Sequence, residues 1–285
     1  MNRLAMRFSP GLAQGVELAL QFGSQYIAWT PAENQNGIGV GPTGRETIMT
    51  MKRFIVSALA VCAAAGIASA QEMKKIRLVR GDIYDLELFV KTLREDSISR
   101  VIHTAGLQTP ECRDRPIAGA TVNVAGTLSV FEAVKACRDR VTSVAYASSG
   151  AVLGGDGPDA SPLPDSAPRT PGTIYGVFKT ANEECARIYW QDEGIRSVGL
   201  RPPVVYGVGR DQGLTAGTTL AIRAALLGGP CEIAFSGPAN VEYVEDVARC
   251  FVDCASKSPE GAPVFNMRGE VLTVEEMIAV IEEMF

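Results

Sequence analysis

Tyr175 and Lys179 stand four residues apart in Y-G-V-F-K. On a helix that spacing puts both side chains on one face. An ammonium beside a phenol favours the phenolate and lowers the tyrosine pKa from its usual value of about 10. Such a phenol exchanges protons at neutral pH, which is general acid–base chemistry. Ser149 closes the apolar run VTSVAYASS, where its hydroxyl can hydrogen-bond a substrate oxygen. An exposed helix pair has the same Y-x-x-x-K spacing, so the pair alone leaves both readings open. The order of residues says more. Asp82 comes first, then the small-residue turn Thr104-Ala105-Gly106, then Ser149, then Tyr175 and Lys179.

These residues sit at the ends of short apolar runs. KIRLVR, SRVIHTAG, VTSVAYASSG, SVGLRPPVVYG and APVFNMRG read as strands. Between them LELFVKTLRED, GATVNVAGTLSVFEAVKACRD and TIYGVFKTANEECARIYWQDEG have helical period. Strands alternating with long helices imply a parallel sheet covered on both faces, a doubly wound α/β fold. In such sheets the ligand lies beyond the strand C-termini. Asp82 also suits a turn or helix cap, Asn123 an ordinary helix position, and Pro202-Pro203 a strand end. Near the C-terminus, Thr273 and Glu276 have capping-box spacing, and Val274, Met277, Ile278 and Ile281 form an apolar stripe.

The 285 residues carry 27 Lys+Arg and 32 Asp+Glu, for a formal net charge of -5. With no basic run, nucleic acid is a poor partner. The single histidine, His103, reads as a packed strand residue, which argues against a histidine triad or a histidine-rich metal site; no metal is expected. Seven cysteines occur without a C-x-x-C pair, which fits reduced thiols in a cytoplasmic protein. Cys250 and Cys254 read as buried small hydrophobes.

Residues 1–73 match the rest poorly. GLAQGVELALQFGSQYIAW reads as a helix, and PAENQNGIGVGPTGRET as a loop. Gly39, Gly41 and Gly44 match G-x-G-x-x-G, but no strand-like run precedes them. From Met51 to Ala70 a basic start, an apolar run and A-S-A before Gln71 make a secretory signal pattern. A buried strand running into an Ala-rich helix has the same pattern. Cytoplasmic and exported readings therefore both follow, and neither places the chain in a membrane.

The series G-D-I-Y-D (81–85), V-I-H-T-A-G (101–106), N-V-A-G-T (123–127) and Y-A-S-S-G-A-V-L-G (146–154) continues with Y-G-V-F-K (175–179), L-R-P-P-V-V-Y-G (200–207) and V-E-Y-V-E-D-V-A (241–248). In this order it resembles the extended short-chain dehydrogenase/reductase superfamily, in particular NAD-dependent epimerase/dehydratase proteins of the nucleotide-sugar epimerase type. The resemblance covers residues 74–285. It implies a Rossmann-like NAD(P)-binding core over 74–210 and a small substrate lobe with late core elements over 211–285, truncated relative to the family. It implies NAD or NADP as cofactor and a sugar-derived substrate. It also implies a homodimer paired through the helices around 119–138 and 174–193, with Val124, Leu128, Phe131, Ile188, Tyr189 and Trp190 to bury.

The same resemblance assigns roles. Tyr175 becomes the catalytic acid/base, and Lys179 lowers its pKa and binds the nicotinamide ribose. Ser149 holds the substrate oxygen, with Ser148 beside it on the cofactor side. Asp82 and Ile83 meet adenine. Thr104, Ala105 and Gly106 line the pyrophosphate and ribose path. Asn123 supports the site from its helix, and Pro202 and Pro203 pass beside the nicotinamide.

Two departures stand out. The family's opening strand and glycine-rich turn correspond to K-R-F-I-V-S-A-L-A-V-C (52–62), which has no glycine. Glycines there let backbone approach the pyrophosphate without Cβ obstruction. Val204 replaces the asparagine that many sugar-nucleotide epimerases place against the substrate diphosphate. The expected activity is therefore an NAD(P)-dependent epimerase/dehydratase acting on a sugar hydroxyl. The alternative is a non-catalytic relative that has lost cofactor binding.

Overall fold

The computed structural model describes residues 18–22, 25–29, 76–154 and 163–284. The signal-like segment at 51–70, Gly39–Gly44 and the 52–62 slot lie outside them. In chain order the strands are β1 (Leu18–Phe22), β2 (Gln25–Trp29), β3 (Ile76–Arg80), β4 (Arg100–His103) and β5 (Ser143–Ala147). They continue with β6 (Ser197–Arg201), β7 (Val204–Tyr206), β8 (Pro238–Tyr243), β9 (Val264–Asn266) and β10 (Glu270–Thr273). The helices are α1 (Leu86–Glu95), α2 (Thr109–Asp114), α3 (Pro116–Ala136), α4 (Ile174–Glu193), α5 (Gly217–Leu226), α6 (Val244–Lys257) and α7 (Val274–Met284).

The main sheet has the order β3-β2-β1-β4-β5-β6-β9, and a second sheet the order β10-β8-β7. From β1 through β4, β5 and β6 to β9 every pairing is parallel. The expected α/β class holds. Pro202 and Pro203 divide the run SVGLRPPVVYG between the two sheets, with β6 in one and β7 in the other. A proline has no N–H for a ladder, so a strand changes partners readily at that point.

The central strands β4, β5 and β6 bury both faces. On one side Val101, Val144 and Tyr146 meet Phe89 and Leu93 of α1 and Val130, Phe131 and Val134 of α3. On the other, Ile102, Ala145, Val198 and Leu200 meet Val247, Phe251 and Ala255 of α6. Phe131 is fully buried and stacks on Tyr189 at 4.9 Å. Burying it contributes about 2–3 kcal/mol. Expected at an interface between copies, it lies instead inside the subunit, because the inner face of α3 turns toward the sheet. Although α3 is long and apolar enough to cross a bilayer, this face is buried in the protein core.

Local signals set the helix ends. Asp85 caps α1 by accepting from Leu88 N at 3.0 Å. Thr173 caps α4, and left-handed Gly194 ends it. At α7, Thr273 and Glu276 form the expected reciprocal capping box, with bonds of 3.1 and 2.8 Å. Two expectations change. The run expected as a leader helix instead supplies β1 and β2, antiparallel and separated by two residues. Phe22-Gly23-Ser24-Gln25, between apolar runs, is a hairpin signal that outweighs the helical period. Cys250 is exposed rather than buried, because Val247, Ala248, Phe251 and Ala255 occupy the inner face of α6.

Candidate active site

Register brings the strand ends together. His103 pairs with Tyr146, and Ala147 with Leu200. The segments after β4, β5 and β6 therefore leave the sheet side by side. This gathers Thr104–Gly106, Ser148–Ser149 and Pro202–Pro203 at the carboxyl edge, where open α/β sheets bind ligands. The Pro202 carbonyl accepts from Gly150 N at 3.2 Å, tying two of these segments together.

The first turn of α4 rests on the short turn Gly150–Leu153 that follows Ser149. Gly176 permits the approach, since a Cβ there would lie 2.5 Å from the Ala151 carbonyl oxygen. Ser149 Oγ accepts from Ala151 N at 3.2 Å and hydrogen-bonds the Tyr175 phenol. Burial pushes that phenol above its ordinary value. The Ser149 bond and the Arg210 guanidinium act in the opposite direction. Lys179 is buried and donates from Nζ to the Ala147 carbonyl at 2.8 Å. Its ammonium lies 5.6 Å from the centre of the Tyr175 ring, over the ring rather than at the hydroxyl. Burial lowers Lys179 to about 8.

Asn123 lies in a π-helical turn, Thr121–Ala125, within α3. Such turns often reshape a helix at a functional site. Its Nδ2 donates to the Leu107 carbonyl at 3.1 Å and lies 3.2 Å from Cys112 Sγ, while Oδ1 is buried without a partner. Gly106 fits between these groups. A Cβ there would lie 2.5 Å from Asn123 Oδ1 and 3.4 Å from Lys179 Nζ. Gly106, Asn123 and Lys179 thus converge below Tyr175.

The other expected residues divide. Asp82 accepts from Ile83 N at 3.0 Å and from the Tyr84 hydroxyl. Ile83 is a core side chain, fully buried against Gly126, so it presents no side chain to a ligand. Ser148 is buried and donates to Glu183 Oε1 at 2.5 Å, away from the Tyr175 cluster. His103 Nε2 lies 2.9 Å from Thr127 Oγ1. That hydroxyl already donates to the Asn123 carbonyl at 2.6 Å, so the histidine N–H is the donor. Burial lowers His103 to about 3, keeping it neutral.

Glu183, Gln108 and Cys112 escape a reading by motif, and Arg210 carries little weight in one. Glu183 continues the four-residue spacing of Tyr175 and Lys179. It accepts two bonds of 2.8 Å from Arg201 and one of 3.1 Å from Arg169. Arg210 donates to Gln108 Oε1 at 3.0 Å and to Thr215 Oγ1 at 3.2 Å.

Residues 53–267 match the model of the family described as "NAD dependent epimerase/dehydratase family". The chain is 30% identical over 193 residues to a UDP-glucose 4-epimerase of Mycolicibacterium smegmatis, covering 66% of this chain and 60% of that protein's length. It superposes on UDP-glucose 4-epimerase of Thermus thermophilus, solved with NAD, with a TM-score of 0.64 and 25% identity, over 72% of this chain and 67% of that one. A structure solved in complex with UDP-glucose and NAD gives a TM-score of 0.62 at 29% identity, over 72% of this chain and 68% of that one.

Proposed function

This chain belongs to the NAD dependent epimerase/dehydratase family, and from that premise we propose that it catalyses NAD-dependent oxidation and re-reduction at a hydroxyl-bearing carbon of a nucleotide sugar. The observation that carries the reading is the cluster of Ser149, Tyr175 and buried Lys179 at the carboxyl edge of β5. The relatives named for UDP-glucose epimerisation support the substrate class.

The residues fit the nicotinamide-ribose end of NAD. Lys179 has three N–H donors, and one goes to Ala147. The other two suit ribose hydroxyls, with Gly106 leaving room beside them. Asp82 suits the adenine end, and Thr104, Ala105, Pro202 and Pro203 border the path between. When bound, NAD would supply reversible hydride-transfer chemistry at this end. Tyr175 would take the proton of the substrate hydroxyl from its ionised form, which the Ser149 bond and the Arg210 guanidinium favour against the opposing effect of burial, while the C–H hydride leaves, so that a ketone forms with charge balanced. Ser149 donates a hydrogen bond to the substrate oxygen. In the return direction Tyr175 would give the proton back to the substrate oxygen, and re-reduction of the ketone on its other face would invert the carbon. Lys179 loses its charge as pH rises through about 8, so ribose binding weakens there.

The second sheet with α5 and α7 forms the substrate lobe in this reading, while α6 and β9 return to the core. Exposed Ile117 and Ile188 on α3 and α4 are assigned to pairing with a second copy. Tyr175→Phe tests the chemistry. With UDP-glucose and millimolar NAD, turnover is expected to fall roughly 100-fold or more, with NAD affinity retained. Equal turnover in that variant removes Tyr175 from the mechanism.

A further inference from the structure

Ser148 and Ser149 are adjacent, yet their side chains part. Ser149 has extended backbone angles, φ -162° and ψ 150°, and in an extended chain successive side chains point to opposite faces. Ser148 Oγ donates to Glu183 Oε1 at 2.5 Å. The same oxygen accepts from Arg201 Nε at 2.8 Å, while Oε2 accepts from Arg201 Nη2 at 2.8 Å and from Arg169 Nη1 at 3.1 Å. Arg201 Nη1 donates onward to the Asp165 carbonyl and to Asn266 Oδ1, each at 3.1 Å. One carboxylate thus joins the ends of β5 and β6, the middle of α4 and the segment that leads into α4.

Ser148, Glu183 and Arg201 are all buried. A buried ion pair is weak evidence for stability, because desolvation offsets the attraction and apolar residues of similar volume often serve as well. What apolar residues do not supply is direction. Arg201 holds both carboxylate oxygens, so the acceptor that meets the Ser148 hydroxyl is fixed in place. With Ser148 turned to Glu183, alternation turns Ser149 to the other side. There the turn Gly150–Leu153 rests on the first turn of α4, which carries Tyr175. Glu183 stands about two turns further along the same helix. The helix that bears the phenol therefore also bears the anchor that orients the serine. Resting on the acid–base reading above, we propose that Ser148 and Glu183 are positioning residues of the reaction centre. Their bond, backed by Arg201, sets the side of the strand end that Ser149 faces and so holds its hydroxyl against Tyr175. This gives Ser148 a role other than the cofactor contact that the family resemblance implies.

The test is a double-mutant cycle with two readouts. In the full chain, tyrosine is isotope-labelled at Cζ, the ring carbon that bears the hydroxyl, and the Tyr175 resonance is assigned by its loss in Tyr175→Phe. This readout needs neither cofactor nor substrate. The second is turnover of UDP-glucose with millimolar NAD. Ser148→Ala removes the hydroxyl and leaves the Glu183–Arg201 pair in place. It is expected to move the Tyr175 resonance in the same direction as Ser149→Ala does. It should lower kcat roughly 10-fold or more, with KM for the sugar nucleotide nearly unchanged. Ser148→Thr keeps the hydroxyl and should restore both. Adding Ser148→Ala to Ser149→Ala should change neither readout further, because one residue acts through the other. An unmoved resonance in Ser148→Ala overturns the proposal, and so do additive effects in the double variant. If Ser148→Ala does not fold, an unmoved resonance in Glu183→Asp, which keeps the charge but shortens its reach, overturns it equally. If the chain does not turn over, the resonance decides alone. A coupled resonance in a chain whose turnover ignores Tyr175→Phe upholds the positioning and sinks the acid–base reading instead.

Discussion

The two ends of the main sheet are built differently. From β4 to β6 the strands are parallel, their carboxyl ends align, and each releases residues into one cluster. From β1 to β3 the central strand, β2, runs antiparallel to both neighbours, and two residues join it to β1. A phosphate cradle of the βαβ kind needs a turn and a helix between parallel strands, and a two-residue connection has no room for either. The half proposed to transfer protons is thus assembled from consecutive crossovers. At the other end of the sheet, β1 and β2 form an antiparallel pair instead. The teaching is that the two halves are separable: a sequence can keep one tightly determined while the other changes topology.

That contrast can be broken at several points. The largest effect is expected on the catalytic side. Glu183 is buried and paired with Arg201, whose side chain is 3% exposed. Glu183→Ala leaves a buried guanidinium without its carboxylate, and chemical denaturation should show a loss of about 3–5 kcal/mol. A loss near zero would mean that the network is not what holds Ser148 and α4 in place.

Acid should open the same half. His103 falls from 6.5 to about 3 on folding, so between those values the unfolded chain binds the extra proton. Stability is then fully present above about pH 6.5 and lost as pH falls toward 3, by about 5 kcal/mol at the limit. The chain has one histidine, so a single imidazole NMR signal reports directly. A signal titrating near pH 6.5 in the folded protein would contradict the buried, Thr127-bonded state.

The opposite end is probed through its backbone. Because β2 bonds to β1 on one side and β3 on the other, Ile27→Pro removes a ladder hydrogen bond from an interior strand. The expected cost is about 3 kcal/mol by thermal or chemical unfolding. An unchanged unfolding transition would show that the hairpin contributes nothing to the fold.

Much of the catalytic half is legible in the sequence because its signals are local. Strand runs end at small residues, Thr173 and Gly194 bracket a helix, and Tyr175 and Lys179 share its face by spacing alone. The Thr273/Glu276 box likewise needs only four residues to declare itself. The misses are of another kind. Ile83 follows Asp82 in the motif, yet core packing against Gly126 claims its side chain, and burial cannot be read from adjacency. Ser148 and Ser149 are neighbours, but only the partners in space, Glu183 and Tyr175, tell them apart. Arg210 reaches Gln108 across most of the domain, a contact that no periodicity announces. The leader reads wrongly as a helix because its apolar spacing fits either period, and the Gly23-Ser24 pair is the signal that decides against it.

Whether the two halves are as unequal as their topology implies is most directly tested by calorimetric titration of the full chain with NAD. Residues 52–62, expected from the family resemblance as the pyrophosphate cradle, contain serine and alanine but no glycine, and antiparallel β2 begins three residues after the end of β1. The expected result is a Kd well above about 1 μM, equivalent to binding weaker than about -8 kcal/mol, with the remaining affinity reduced further by Lys179→Met. Low-micromolar or tighter binding would contradict the account, because a hairpin edge and a stretch without glycine would then have held the dinucleotide as well as a complete cradle does.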